Sequence, residues 1–554
     1  MGRASRLSLI ALLCILPPLK SIACGGFFCQ IVPIDQAGEQ IVFHQSGDIV
    51  TALVEIQYVG DAENFAWVVP VPGLPELDIG SDLVFSALEP ATRPRFFLDQ
   101  TGAGCPVTAT DEDDGLNSTD GGSTPDEAGN NTGVEILETV TIGPFDIQII
   151  TSDDATALNA WLTANNFDLT DRGSELIAPY VAEGMNFVTL KLAQSQGVGD
   201  IQPLIMRYQS ERPMIPIRLT AVAATPDMGI TAWFLGNHRA VPLNYLHVTP
   251  NYALLNWYTG TNNAYASYQS LITAAMDEAG GQGFATDYAG TDFSFLNQIP
   301  TSAQLSATLT TLDTADDDAL FVANLLQSGN PFPQSKSLEI LRRALPLETG
   351  ENETIYSSPS QLNERFDDET LAAARIHIIE ELTNTVIEPL GVSLAVFDGA
   401  SYLSRLYTTL SPEEMTLDPV FAFNAEVDDQ PLDRWATMHR RCESDTDFWT
   451  LTLGPGTGRN GEQVIDAEGT PPGFTAPLLN PAELNEQLAV WRAVQMTENG
   501  EGEEVINNGN KPAASNSGGG SGAMDLYSLL WLLSMLAATG FYTVMKEHVH
   551  TRSV

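Results

Sequence analysis

The sequence predicts an α+β protein: a β-rich, sandwich-like N-terminal region, a more helical C-terminal half and one C-terminal transmembrane helix. Three observations carry this. Ile49 to Tyr58 (IVTALVEIQY) alternates, with Val50, Ala52, Val54, Ile56 and Tyr58 on one face, as a half-buried strand does. Leu371, Ala374, Ile378, Leu382 and Val386 recur at helical spacing. Leu526 to Met545 is a twenty-residue run without a charge, the length that crosses a hydrocarbon layer.

Taken in order, residues 1–23 form an export signal. Arg3 and Arg6 give a basic start, Leu7 to Leu16 an apolar run too short to span a bilayer, and Pro17-Pro18 a break. Ser21 and Ala23 are the small residues before a cut between Ala23 and Cys24, which makes signal peptidase an expected partner. The exported body is read as 24–330, β-rich with a solvated acidic insert at 109–133, followed by a more helical region at 331–496.

Within the body, Phe65, Trp67 and Val69 repeat the period of two, and Pro70-Val-Pro72-Gly73 ends that run. Ranges 136–150, 186–192, 202–208, 215–223, 229–235 and 448–453 are further strands. Helices are expected at 153–165, 265–278 and 367–388, the last stopped by Pro389. Another starts at Asn480-Pro481 and carries Leu484, Leu488 and Trp491. GPGTGRNG after the strand at 448–453 lacks the Lys-Ser/Thr of a phosphate loop and is a hairpin loop.

Residues 497–525 are rich in Gly, Asn, Ser and Glu and read as a flexible linker. The span at 526–545 carries Tyr527, Trp531 and Tyr542 near its ends, and 546–554 is a cytoplasmic tail with Lys546 and Arg552. The basic side stays inside, so the body faces outward.

Composition sets limits on function. Lys and Arg total 25 against 71 Asp and Glu, a formal charge of −46. Such a field repels nucleic acid, which binds through phosphate neutralisation. After Cys14 leaves with the signal, Cys24, Cys29, Cys105 and Cys442 remain, and an even number in an oxidising compartment reads as two disulfides. Three connectivities are open, with Cys24 and Cys29 each expected to reach a distant partner. Acylation of Cys24, or its use as an N-terminal nucleophile, are the rival uses of that residue.

No catalytic signature stands out. HExxH and Gly-x-Ser-x-Gly are both absent. His238 and His247 flank a turn without a third zinc ligand in view, and His439-Arg440-Arg441-Cys442 is a basic spot beside a disulfide. Asp111-Glu112-Asp113-Asp114 and Asp316-Asp317-Asp318 are the sites calcium would choose, against the plainer reading of solvated acidic runs; neither follows EF-hand spacing. No cofactor is expected otherwise. Two functions are carried forward: a non-enzymatic binding or structural module of the cell envelope, and an exported hydrolase with a site assembled from distant residues. For the second, Trp67, Trp233 and Trp257 either line a cleft or fill the core.

CGGFFC at 24–29, TALVEIQYVGDAENFAWVVPVPGLPEL at 51–77, DEAGGQGFATDYAG at 277–290 and LSRLYTTLSPEEMTLDPVF at 403–421 together resemble the bacterial domain of unknown function 2330. The resemblance runs over most of 24–450. It implies an exported bacterial protein with paired N-terminal cysteines and brings no catalytic residue with it. The tail, with Gly518, Gly519, Gly520 and Gly522 before the span, resembles GlyGly-CTERM sorting signals. That resemblance implies a rhomboid-like sorting protease as partner and release to the cell surface. Permanent inner-membrane anchoring facing the periplasm is the alternative.

Overall fold

The alternation at 49–58 does form a strand, and its neighbours explain why both of its faces are filled. The computed structural model describes residues 35–59, 65–103, 134–167, 171–193, 200–257, 260–469 and 488–510. In chain order the strands begin with β1 (Asp35–Ser46), β2 (Ile49–Val59), β3 (Ala66–Val71), β4 (Glu76–Ile79), β5 (Arg95–Gly102), β6 (Glu135–Ile142) and β7 (Phe145–Thr151). Then come β8 (Asn186–Leu192), β9 (Leu204–Gln209), β10 (Ala224–Gly236), β11 (Arg239–Pro242), β12 (Leu246–Pro250) and β13 (Gly283–Gly290). The last are β14 (Tyr402–Leu410), β15 (Phe421–Asn424), β16 (Asp433–Glu443), β17 (Thr446–Leu453), β18 (Gln463–Glu468), β19 (Val490–Thr497) and β20 (Gly500–Asn507).

The helices are α1 (Asp82–Thr92), α2 (Ala155–Ala164), α3 (Asp171–Ala182), α4 (Ile217–Thr220), α5 (Gly260–Glu278) and α6 (Ser302–Leu312). They continue with α7 (Asp318–Leu325), α8 (Gln334–Ala344), α9 (Pro359–Arg365), α10 (Asp368–Leu382) and α11 (Glu388–Ala395).

A ten-stranded mixed sheet in the order β20-β19-β12-β13-β14-β10-β1-β2-β9-β4 is the backbone of the fold. β1 runs parallel to β10 and antiparallel to β2, and β14 pairs antiparallel with β10. On one face Ile41, Phe43, Ile230, Phe234, Leu406 and Leu410 pack against Val69, Phe145, Ile147, Val188 and Leu190 of the four-stranded sheet β3-β8-β7-β6. This is the sandwich-like part.

On the other face Val42, Leu53, Trp233, Leu235 and Leu403 meet α1 and the helices from α6 to α11. Further along, α5 and the four-stranded sheet β18-β17-β16-β5 close a third core around Tyr268, Trp257, Leu451 and Trp449. Each fully buried Leu, Ile or Phe contributes roughly 1.5–3 kcal/mol. The sheet is therefore anchored from both sides.

The fold is α+β, and the helices concentrate between residues 302 and 395. The chain through Asn510 clusters as one compact unit. β14, from the second half, lies between β13 and β10 in the main sheet.

Several expectations fail for local reasons. Residues 215–223 alternate in sequence, but Pro213 and Pro216 remove ladder donors, and the chain forms the short α4 instead. Pro70 lies inside β3, opposite Phe187, because β3 is an edge strand and needs no second ladder. Range 136–150 is a hairpin, β6 and β7, turned at Gly143 with φ +54.

Pro389 does not stop its helix. A π-helical turn at Thr383–Ile387 absorbs the misfit, and Pro389 sits in the first turn of α11, where its missing N–H costs nothing.

The helix expected from Asn480 fails at its far end. Trp491 belongs to β19, which pairs with β12 and β20; residues 480–487 lie outside the described residues. Of the linker expected at 497–525, residues 511–525 lie outside the described residues, and the described part is not a tether: Gly500–Asn507 is β20. That segment has little to bury, but Arg492 holds it through Glu501 at 2.7 Å and Glu504 at 2.6 Å. GPGTGRNG does join the antiparallel pair β17 and β18, as a hairpin loop must.

Among the described residues, no helix is long and apolar enough to cross a membrane. The segment 526–545, the tail 546–554, the signal 1–23 and the insert 109–133 lie outside the described residues.

Ile230, fully buried on β10, tests the two-sided anchoring. Ile230→Ala is expected to lower unfolding free energy by about 2–5 kcal/mol in urea titration. Ile376→Ala, at a position 69% exposed, should change it by no more than about 0.5 kcal/mol.

Candidate functional site

Along β14 the residues alternate between two environments. Leu406 and Leu410 face the sandwich core, and Arg405, Tyr407 and Thr409 face the other side. Register sets their neighbours. Trp233 lies opposite Arg405, Thr231 opposite Tyr407 and Gly229 opposite Thr409. On the next strand Val42, Gln40 and Gly38 continue these three rows.

The Trp233 row is covered by α1, and the Trp233 Nε1–H donates to Thr92 Oγ1 at 2.8 Å. The other two rows carry small and polar residues, which leave room. The result is a cleft of about 680 Å³ over the middle of the sheet, walled by Glu89 and Arg93 from the end of α1 and by Tyr265, Gln269 and Thr273 from α5. Gly229 is part of its floor. A Cβ there would meet the Tyr407 hydroxyl at 3.1 Å.

Arg405 is the central group. Its side chain is 1% exposed. Nη1 donates to the Glu89 carbonyl at 2.9 Å, so the guanidinium caps the C-terminal turn of α1, where the helix dipole favours a cation. Nη2 donates to Glu89 Oε1 at 3.2 Å and to the Tyr265 hydroxyl at 3.4 Å. The guanidinium also stands over the Trp233 ring. Nε lies 3.2 Å from Asp287 Oδ2, but the N–H is not aligned, so neither atom makes a hydrogen bond and the contact is coulombic.

A register shift in β13 between Thr286 and Tyr288 isolates Asp287 from regular pairing, and the residue is wholly buried. Tyr268 donates to Asp287 Oδ1, and Arg434 donates to the Asp287 carbonyl at 2.8 Å. Burial pushes the Asp287 carboxyl up, while Arg405, Tyr268 and Arg434 pull it back. Burial opposes the charge on Arg405, but Asp287, Tyr265 and Glu89 outweigh it and hold its pKa above the usual value.

Two other carboxyls stand apart. Glu39, on β1, lies opposite Ile230 and faces the apolar sandwich core, 6% exposed, with Oε2 unpartnered. Burial alone raises it to about 7. Glu55 on β2 also rises to about 7, through burial and then through Asp82.

The residues expected to matter are dispersed. Trp67, Trp233 and Trp257 are buried in three different cores. His247 Nε2 lies 3.1 Å from Arg239 Nη2 and 3.1 Å from Thr286 Oγ1. Burial and that guanidinium lower its pKa to about 3, which is no zinc arrangement, and His238 is exposed. His439 Nδ1 meets Thr101 Oγ1 at 3.1 Å.

Asp317 caps α7 by accepting from the Ala319 N–H, and Asp318 pairs with Arg375 at 2.8 Å, so this acidic run is helix chemistry. Among the described residues, no group of three or more His, Cys, Asp or Glu is placed to hold a metal.

Cys442 is exposed on β16 and disulfide-bonded, and its partner lies outside the described residues. Cys24, Cys29, Cys105, Ala23, the run 111–114 and Gly518, Gly519, Gly520 and Gly522 lie outside them too. Sequence reasoning missed the cleft. Its one signal was an arginine inside LSRLYTTL, a strand apolar enough to be buried along its whole length.

An α+β body carrying a ligand-sized polar cleft over its main sheet is the class these features define. The chain matches the family described as an uncharacterized protein conserved in bacteria (DUF2330) over residues 18–316, more than half its length, and it belongs to that family. The match is shorter than the 24–450 expected, so the block at 403–421 lies outside it. Comparisons with curated proteins and with solved structures find no match.

Arg405→Met leaves Asp287 buried without its cation and is expected to destabilise by about 3–5 kcal/mol in urea titration. Adding Asp287→Asn should recover part of that loss.

Glu39 gives a pH test. Its folded pKa, about 7, exceeds the unfolded 4.5, so the stability belonging to its protonated form is full below 4.5 and lost as pH rises through 7. Across that window Glu39→Gln should gain on the order of 3 kcal/mol over the native chain. Parallel denaturation curves at pH 4.5 and 8 would measure this.

Proposed function

We propose that the protein is an exported envelope component, membrane-anchored or surface-released, and that its body is a binding module whose site is the cleft over β1, β10 and β14. The observation that carries the binding role is the cleft itself. It is a polar recess of about 680 Å³, larger than the recess of about 450 Å³ between Asp200, Arg343 and Glu388, and within the size range of small-molecule sites.

Binding is favoured over hydrolysis by the state of the nearby carboxyls. Of the carboxyls that line the cleft, Glu89 is engaged by Arg405, Asp227 accepts from Ser411, and Glu39 turns to the sandwich core, so no pair of free carboxyls faces the space as acid–base chemistry requires.

Export rests on the signal at 1–23, the span at 526–545 and the cysteines. The disulfide at Cys442 fits an oxidising compartment. β5 runs parallel to β16 with Gly102 opposite Arg440, and Cys105 follows Gly102 by three residues as Cys442 follows Arg440 by two. This register supports pairing of Cys105 with Cys442 and so a Cys24–Cys29 bridge, in place of the expectation that each of those two reaches a distant partner.

One preparation tests location and pairing. Protein taken from the envelope of its native host is digested without reduction and analysed by mass spectrometry. A mature start at Cys24 and a Cys105–Cys442 cross-linked peptide are expected. Recovery from cytosol with free thiols would overturn the export reading. The binding role is tested by thermal shift against monosaccharides, sugar acids, amino acids and dicarboxylates. A stabilising compound whose effect disappears in Gly229→Leu, which fills the cleft floor, is the expected result; no shift across that panel would overturn the role.

A further inference from the structure

We infer that the cleft takes a hydroxylated carboxylate, a sugar acid in chemical class, with Arg93 as the group that receives the carboxylate. The inference rests on the cleft being a binding site and names what it binds.

The chain has 71 acidic residues against 25 basic ones, so nearly every guanidinium finds an acid. Even the deeply buried Arg434 is held by main-chain carbonyls and the Tyr252 hydroxyl. Among the described residues, Arg93 is the arginine whose guanidinium makes no hydrogen bond and no ion pair. It stacks instead on the Tyr265 ring, 4.6 Å from its centroid, at the wall of the cleft.

A guanidinium held over a ring without a hydrogen bond keeps its N–H groups for another acceptor, and their fork matches a carboxylate with two parallel hydrogen bonds. Glu89, one helical turn before Arg93, does not pair with it; its carboxylate is held by Arg405 at 3.2 Å. Asp227, at the far side of the cleft, accepts from Ser411 Oγ at 3.1 Å.

The rest of the lining suits hydroxyl groups. Gln40 Oε1 is buried without a hydrogen-bond partner, an acceptor waiting for a donor. Thr231 and Gln269 line the same space, and Thr409 Oγ1 donates to Thr273 Oγ1 at 3.1 Å, a hydroxyl pair with capacity left over. Such a surface offers little to an aliphatic acid. The volume also exceeds what a bare anion fills.

The test is calorimetric titration of the body with D-glucuronate and D-galacturonate, with glucose and galactose as neutral counterparts, and with inorganic phosphate. Uronate binding that weakens by about ten- to a hundredfold in the neutral sugars, and by a similar factor in Arg93→Gln, is expected. Arg93→Lys should keep part of the affinity, since charge stays and the fork is lost.

Neutral sugars binding as well as uronates would overturn the carboxylate assignment and leave the cleft as a site. Phosphate binding at Arg93 without uronate binding would overturn the hydroxylated class. Uronate binding unaffected by Gly229→Leu would instead overturn the cleft itself. Absence of any uronate binding to a folded native chain would overturn the inference.

Discussion

Arg405 must be satisfied at a place that water does not reach, and much of the architecture follows from how this is done. Acceptors come from separate parts of the chain: the last turn of α1 through Glu89, the irregular stretch of β13 through Asp287, and α5 through the Tyr265 hydroxyl. One guanidinium thereby fixes three elements against the central sheet. Taking such a charge out of water costs several kcal/mol, and ion pairing in the interior seldom exceeds that cost by much. What the arrangement supplies is position. The walls of the cleft are the same α1 and α5 that Arg405 holds.

Legibility in the sequence followed the physics of each segment. β2 and β8 were readable because local pattern and tertiary environment agree. Where they disagree, the pattern misleads. Residues 215–223 alternate well, yet two prolines deny the ladder its donors. Gly500–Asn507 has little to bury beyond Ile506 and reads as a tether, but a strand at a sheet edge needs only main-chain hydrogen bonds, that one contact and a few ion pairs to Arg492. Pro389 reads as a terminator, although the first turn of a helix tolerates it once the preceding turn widens. Carbonyls loosened by that wider turn are met from outside, as where Gln202 donates to the Thr385 carbonyl at 2.8 Å.

The cleft was less legible than the fold. Its residues come from β1, β10, β14, α1 and α5, and no short window of sequence contains more than four of them. The matched family stretch ends at residue 316, whereas Arg405, Tyr407 and Thr409 arrive with β14. The strand that completes the site therefore comes from beyond the matched stretch, and a division of the chain near residue 330 would cut the site apart.

The far rim of the large sheet is formed by β20, whose sequence GEGEEVIN sets Glu501, Glu503 and Glu504 along a row of main-chain donors and acceptors that no strand among the described residues pairs. Arg492 answers two of these acids from the strand behind, and Glu503 stays exposed. An open rim invites a second copy to add its own strand. Here the approaching copy would bring the same acids, and like charges would face each other before any ladder could form. Acids along an outermost strand therefore set electrostatic repulsion against the edge-to-edge pairing that its main chain would otherwise template.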